Sequence, residues 1–122
     1  MNWNKGKVLN DNAIYVFIAL VAYIAYKKYA QHKVLKIVPT LMNEGGQIVD
    51  VRSEAEFKYA HKEGSINIPL GVLKNRMKEL DNTKPIILCC ASGSRSGLAK
   101  RILMANGFKD VHNAGTWKSL TK

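Results

Sequence analysis

The stretch PIILCCASGSRSG, residues 85–97, holds both cysteines of the 122-residue chain, Cys89 and Cys90, with Arg95 a few positions further on. A thiolate is a nucleophile, and a nearby guanidinium attracts an anionic reactant. The apolar run PIILCC reads as a strand too apolar to be half exposed, hence a central one in a parallel sheet. GLAKRILMANG reads as a helix with Leu98, Ile102 and Ala105 toward the sheet and Gly107 at its end. The thiols therefore fall at the carboxyl end of a central strand, before a helix N-terminus, where open α/β sheets take their ligands. Backbone N–H groups converge there and the helix dipole adds partial positive charge, which lowers a thiol pKa. Strand alternation sends the two side chains to opposite faces, so Cys89 reads as a buried small hydrophobe. A disulfide between sequence neighbours is strained, and a reducing compartment suits both thiols.

The elements that must hold this strand end are legible around it. VPTLMNEGG reads as a short helix, with Pro39 early and Gly45-Gly46 closing it. QIVDV and SINIP read as strands, FKDVHNAG as another, and GVLKNRMKEL as a helix with Val72, Leu73, Met77 and Leu80 near helical spacing. In SEAEFKYAH, Ser53 and Glu56 have the spacing of a capping box. Strands alternating with helices imply an open α/β sheet with helices on both faces.

Upstream, Ala13 to Tyr26 carries no charged or amide side chain. Extended to residues 12–30, with Lys27 and Lys28 snorkelling, this run is expected to cross a membrane once. A cleaved signal peptide and a buried core helix are the competing readings. The expected organisation is a tail 1–11, a transmembrane helix 12–30, a linker 31–36 and a domain 37–122. Lys27, Lys28, Lys33 and Lys36 follow the run while Lys5, Lys7 and Asp11 precede it, so the C-terminal domain is expected on the cytoplasmic side of the cell membrane. The net charge of +10 divides evenly, +5 in residues 1–36 and +5 in 37–122. The first share suits anionic lipid headgroups. No interleaving of aromatic and basic residues points to nucleic acid.

Three segments together resemble the rhodanese-like family of sulfurtransferases. Cys90 with ASGSRSG looks like the family's active-site loop, and IVDVRSEAEFKYAHKEGSINIPL resembles its Asp-x-Arg strand, acidic-aromatic helix and Asn-Ile-Pro. SGLAKRILMANGFKDVHNAGTWKSL is similar to the end of small single-domain members of the phage-shock-protein-E type. The chain departs from the family at Ala60-His61-Lys62, where members commonly have Gly-His-Ile, and at Cys89, usually an ordinary strand residue. Counted from Cys90, the loop has the length and glycine position of sulfurtransferases. Counted from Cys89, it has the longer spacing of cysteine phosphatases and arsenate reductases, but the glycine falls one place late.

The resemblance implies a rhodanese-like open parallel sheet and a two-step transfer. Cys90 takes a sulfane sulfur from a donor such as thiosulfate as a persulfide, and cyanide or a thiol then removes it. Arg95 is the expected partner of the anionic donor. The amides of Ala91, Ser92, Gly93, Ser94 and Ser96 are expected to face the persulfide, with Ser96 alternatively only a helix N-cap. Arg52 is a further candidate for lining the site. No metal and no cofactor is implied. His61 and His112 are expected to make structural hydrogen bonds, Asp50 to orient loops or pair with a neighbour, Trp117 to pack at a core edge, and Lys74, Arg76 and Lys78 to form a solvated face. A small phosphatase or arsenate reductase and a non-catalytic docking module are the alternative functions.

Overall fold

The structure, a computed structural model, describes the backbone of residues 3–122 and the side chains of residues 10–122. Met1, Asn2 and the side chains of Lys5 and Lys7, all in the expected tail 1–11, lie outside the described residues. From Trp3 onward that segment is helical rather than a tail, as the start of α1 (Trp3–Asn43). The chain divides into two units, Met1–Ala30 and Gln31–Lys122.

In the first unit the apolar side chains face outward. Ile14, Phe17, Leu20 and Ile24 are all exposed, which does not fit a buried core helix. An α-helix satisfies its own backbone hydrogen bonds, as a membrane requires. By length and composition the stretch Asn10–Asn43 is able to cross one.

In the second unit the expected linker 31–36 is helical, and no new helix starts near Pro39. The reason is an apolar stripe at helical spacing: Val34, Leu35, Val38 and Leu41 all pack on the sheet. Pro39 inside α1 removes one N–H donor, and the helix stops at Asn43. Gly45, at φ +87°, then turns the chain, and the Gly46 N–H returns to the Leu41 carbonyl at 2.9 Å.

The sheet is four-stranded and parallel, in the order β2 (Ile66–Asn67), β1 (Gln47–Asp50), β3 (Ile86–Cys90), β4 (Val111–Thr116). Between the strands lie α2 (Glu54–Tyr59), α3 (Leu73–Arg76) and α4 (Ser94–Ala105). The stretch expected as one helix from Gly71 is broken into α3 and two flanking 3-10 turns, anchored by Leu73 and Leu80. One face of the sheet packs Val49, Leu88 and Cys90 against Leu73, Ala99 and Leu103. The other packs Ile48, Ile87 and Cys89 against α1 and Leu120. Helices thus cover both faces, and β3, fully buried along its length, lies inside the sheet.

The buried face of α4 differs from the expected one. Leu98 is exposed, Ile102 is half-buried and Ala105 is exposed, whereas Ser96, Ala99 and Leu103 are buried. The helix starts at Ser94, earlier than the apolar pattern suggested, and the inward stripe passes through a polar residue that the pattern ignores. The capping box at α2 forms as expected: Ser53 Oγ accepts from the Glu56 N–H at 3.2 Å, and Glu56 Oε1 from the Ser53 N–H at 3.1 Å.

Candidate active site

The turn from β3 into α4 requires a glycine. Gly93 has φ +98°, and a Cβ there would lie 3.3 Å from the Gly115 Cα. A side chain would meet both the left-handed penalty and the neighbouring backbone. With glycine in place the chain folds back over Cys90. The Gly93 N–H donates to Cys90 Sγ at 2.9 Å and the Ser96 N–H at 3.5 Å, and Ser96 Oγ lies 3.3 Å from the sulfur.

These contacts decide the acidity of Cys90. Burial pushes its pKa up and is the largest single influence, but hydrogen bonds from the Ser96 hydroxyl and from backbone N–H groups of residues 92, 93 and 96 outweigh it and hold the thiol below its ordinary value. Cys89 has no such loop beneath it. Burial first, and the Asp50 carboxylate second, push it up to about 12. Two adjacent cysteines are therefore driven in opposite directions by the faces of the sheet on which they sit.

Of the residues expected at the site, Cys90, Gly93 and Ser96 come together directly. Ser96 is not the helix N-cap, a place Gly93 takes; it is buried and hydrogen-bonded toward the sulfur. Ala91, Ser92 and Ser94 form an exposed rim, with Ser92 Oγ and Ser94 Oγ 3.2 Å apart.

Arg95 points to α2 rather than to the sulfur. Its Nη1 and Nη2 bind Glu56 Oε1 and Oε2 at 2.7 and 3.0 Å. Arg95, followed by the Ser53 amide, holds the Glu56 carboxyl down to about 2. Glu56 thus serves both the α2 cap and the loop arginine.

Arg52 is buried and occupied. It grips Asp50 through Nε and Nη2, donates to the Ala60 carbonyl at 2.8 Å, and lies 4.7 Å over the Trp117 ring. This packing makes it a brace at the end of β1, with no hydrogen bond to the Cys90 loop. His61 Nδ1 bonds the Phe57 carbonyl and its ring stacks on Phe57, while His112 pairs with Asp110. Arg76 pairs with Glu79 on an exposed surface.

Two residues at the site were not singled out from the sequence as site residues. Glu56 was recognised only as a cap. Asn113 was read only as part of a strand, yet it touches the loop at Ser96 and Gly93. The available signal was a polar side chain inside a partly buried strand, two positions before a glycine.

The profile of the Rhodanese-like domain matches residues 35–118. The chain belongs to the rhodanese-like domain family. Among relatives, the protein named "Uncharacterized protein YqhL" of Bacillus subtilis is 33% identical over 108 residues, covering 85% of this chain and 86% of the relative. "Thiosulfate sulfurtransferase PspE" of Escherichia coli is 36% identical over 74 residues, covering 59% of this chain and 71% of the relative. A solved structure described as "rhodanese with anions from E. coli" superposes with a TM-score of 0.58 at 36% identity, over 61% of this chain and 89% of that one. These likenesses support sulfur transfer in general terms for this rhodanese-like domain. The family match covers the sheet and the Cys90 loop, and most of α1 precedes it.

Proposed function

We propose that this rhodanese-like protein is a thiosulfate sulfurtransferase working through a Cys90 persulfide. The observation that carries the reading is the convergence of the Gly93 and Ser96 N–H groups on Cys90 Sγ, with Arg95 in the first turn of the helix that follows. The Cys90 thiolate attacks the outer sulfur of thiosulfate. A Cys90 S–S bond forms, the bond between the two thiosulfate sulfurs breaks, and sulfite leaves with the electron pair. The amides of Ala91, Ser92, Gly93, Ser94 and Ser96 surround the terminal sulfur and stabilise its charge. Arg95, held by Glu56, gives the rim the positive field that draws the anionic donor. Cyanide or a thiolate then attacks the terminal sulfur, and Cys90 departs as the thiolate.

Intact-protein mass spectrometry after incubation with thiosulfate tests this on wild type, Cys89→Ala and Cys90→Ser. A gain of one sulfur that cyanide removes, absent only from Cys90→Ser, is the expected result. Turnover of phosphate esters or arsenate without an adduct would select the phosphatase-like alternative, and neither activity would select a docking module.

We also propose that residues 12–30 anchor the domain in the cell membrane, with the domain on the cytoplasmic side. Support comes from the exposed apolar side chains of the first unit and from the lysines at 27, 28, 33 and 36. The chain is expected in the membrane fraction, extracted by detergent but not by alkaline carbonate, with its domain cleaved only by protease on the cytoplasmic face. A soluble, shortened product would sink the anchor.

A further inference from the structure

We infer that Asn113 is the positioning residue that aims the Gly93 amide and the Ser96 hydroxyl at Cys90 Sγ. The inference rests on Cys90 being the reacting thiol of the proposed transfer, and it begins in the register of the sheet. Leu88 pairs with Asn113, but Cys90 pairs with Thr116, so β4 carries an extra residue opposite Cys89. Gly115, at φ +80°, absorbs that irregularity. Because paired strand residues share a face and alternate residues share it again, Asn113 lies on the Leu88 and Cys90 side. The bulge leaves its carboxamide beside the loop instead of in the next rung of the ladder.

The hydrogen bonds fix how that carboxamide points. Asn113 Oδ1 accepts from the Gly115 N–H at 3.0 Å, so the oxygen faces the bulge, and Nδ2 donates to the Gly93 carbonyl at 3.2 Å. Ser96 Oγ lies 2.7 Å from Oδ1. A flipped amide would set its NH2 against the Gly115 donor. Asn113 therefore ties down the carbonyl of the glycine whose own N–H reaches the sulfur, and sets the position of the hydroxyl beside it.

Proton counting shows why this matters. The Ser96 hydroxyl has one hydrogen and three acceptors within reach: Asn113 Oδ1, the Gly93 carbonyl at 3.1 Å and Cys90 Sγ at 3.3 Å. When Cys90 is a thiol, its S–H serves Ser96 Oγ and the hydroxyl rests on Asn113. When the sulfur ionises, the hydroxyl turns to it, and Oδ1 keeps the Gly115 N–H. No buried side-chain polar atom is stranded among the described residues. Of the charged groups near the thiol, Arg95 is paired with Glu56 and Asp50 with Arg52, while Lys100 and Arg101 stand further along α4 and His112 on β4 meets Asp110. Asn113 carries no charge and acts on the thiol through hydrogen bonds alone.

The experiment measures the pH dependence of Cys90 alkylation by iodoacetamide, on the full chain in detergent micelles, with Cys89→Ala so that a single thiol reports. Asn113→Leu keeps the shape and removes every hydrogen bond. Its alkylation midpoint is expected to rise by about one pH unit, a tenfold loss of thiolate at neutral pH. Asn113→Asp keeps the acceptors but loses the donor and adds negative charge, so its midpoint should rise further. In a Ser96→Ala background the effect of Asn113→Leu should shrink, because part of it passes through that hydroxyl. A folded variant with lower thermal stability and an unmoved midpoint would make Asn113 merely structural and overturn the inference. So would a downward shift in Asn113→Asp, which remains informative if Asn113→Leu does not fold. Persulfide formation on the same samples separates the two claims. A wild type that takes no sulfur while the alkylation shift persists sinks sulfur transfer and supports the positioning role; one that takes sulfur with no shift sinks the positioning role alone.

Discussion

The opposite environments of the two cysteines predict a wide separation in reactivity. At pH 8 a thiol at about 12, as Cys89 is, exists as thiolate in roughly one part in ten thousand. Cys90, held below 9.0, is more than about one tenth ionised at that pH. The thiolate ratio is then at least about a thousandfold. A more acidic thiol is intrinsically less nucleophilic, which with a Brønsted slope of about 0.5 returns some one and a half decades and leaves a preference on the order of thirtyfold. Burial of Cys89 widens the gap. Carboxamidomethylation at pH 8, followed by intact mass on Cys89→Ala and Cys90→Ala, measures the ratio directly. Cys89→Ala should label at the wild-type rate, and Cys90→Ala about thirtyfold more slowly or not at all. Labelling of Cys90→Ala within a few-fold of wild type would refute the assignment of opposite shifts to the two faces of β3. The pH profile adds a sign: the Cys90 rate falls as pH drops through its depressed midpoint, and Cys89 emerges only as pH approaches 12.

Three further outcomes follow from the same geometry. Glu56 is depressed from 4.5 to about 2, so its contribution to stability is complete above 4.5 and lost as pH falls through about 2; thermal melts between pH 6 and about 2 should converge on those of Glu56→Gln at the acid end. Gly93→Ala forces a side chain to φ +98° beside the Gly115 backbone, which should cost about 1–2 kcal/mol in urea unfolding and slow Cys90 alkylation; an unchanged midpoint in both assays would contradict the turn geometry. Asp50→Asn leaves Arg52 buried without its counter-charge and should cost about 3–5 kcal/mol in chemical denaturation, whereas a loss below about 1 kcal/mol would show that Arg52 finds water.

Much of this scaffold was legible along the chain because its signals are local. A continuous apolar run announced the interior strand, Ser53 and Glu56 announced the α2 cap, and period-two alternation placed Cys89 and Cys90 on opposite faces. The loop after Cys90 was equally plain as a candidate, since a cysteine, a glycine and an arginine within six residues need no distant partner to be noticed. The α4 face was misjudged because apolar spacing alone passed over Ser96, a polar residue drawn inward by a hydrogen bond to sulfur. The linker was misjudged because Val34, Leu35 and Val38 reveal their purpose only against a sheet made from residues further along the chain.

The sequence by itself determined that a thiol would stand at the end of a buried strand ahead of a helix, because strand and helix periodicities and turn residues act over a few positions. Tertiary structure decided which groups meet that thiol's loop. Arg95 found Glu56 across 39 positions, and Asn113 reached Ser96 across 17. Both pairings depend on the order of strands, which brings α2 and β4 beside the β3–α4 turn. Asn113 stands opposite Leu88, so the face it presents follows from how β3 and β4 pair and not from the residues on either side of it.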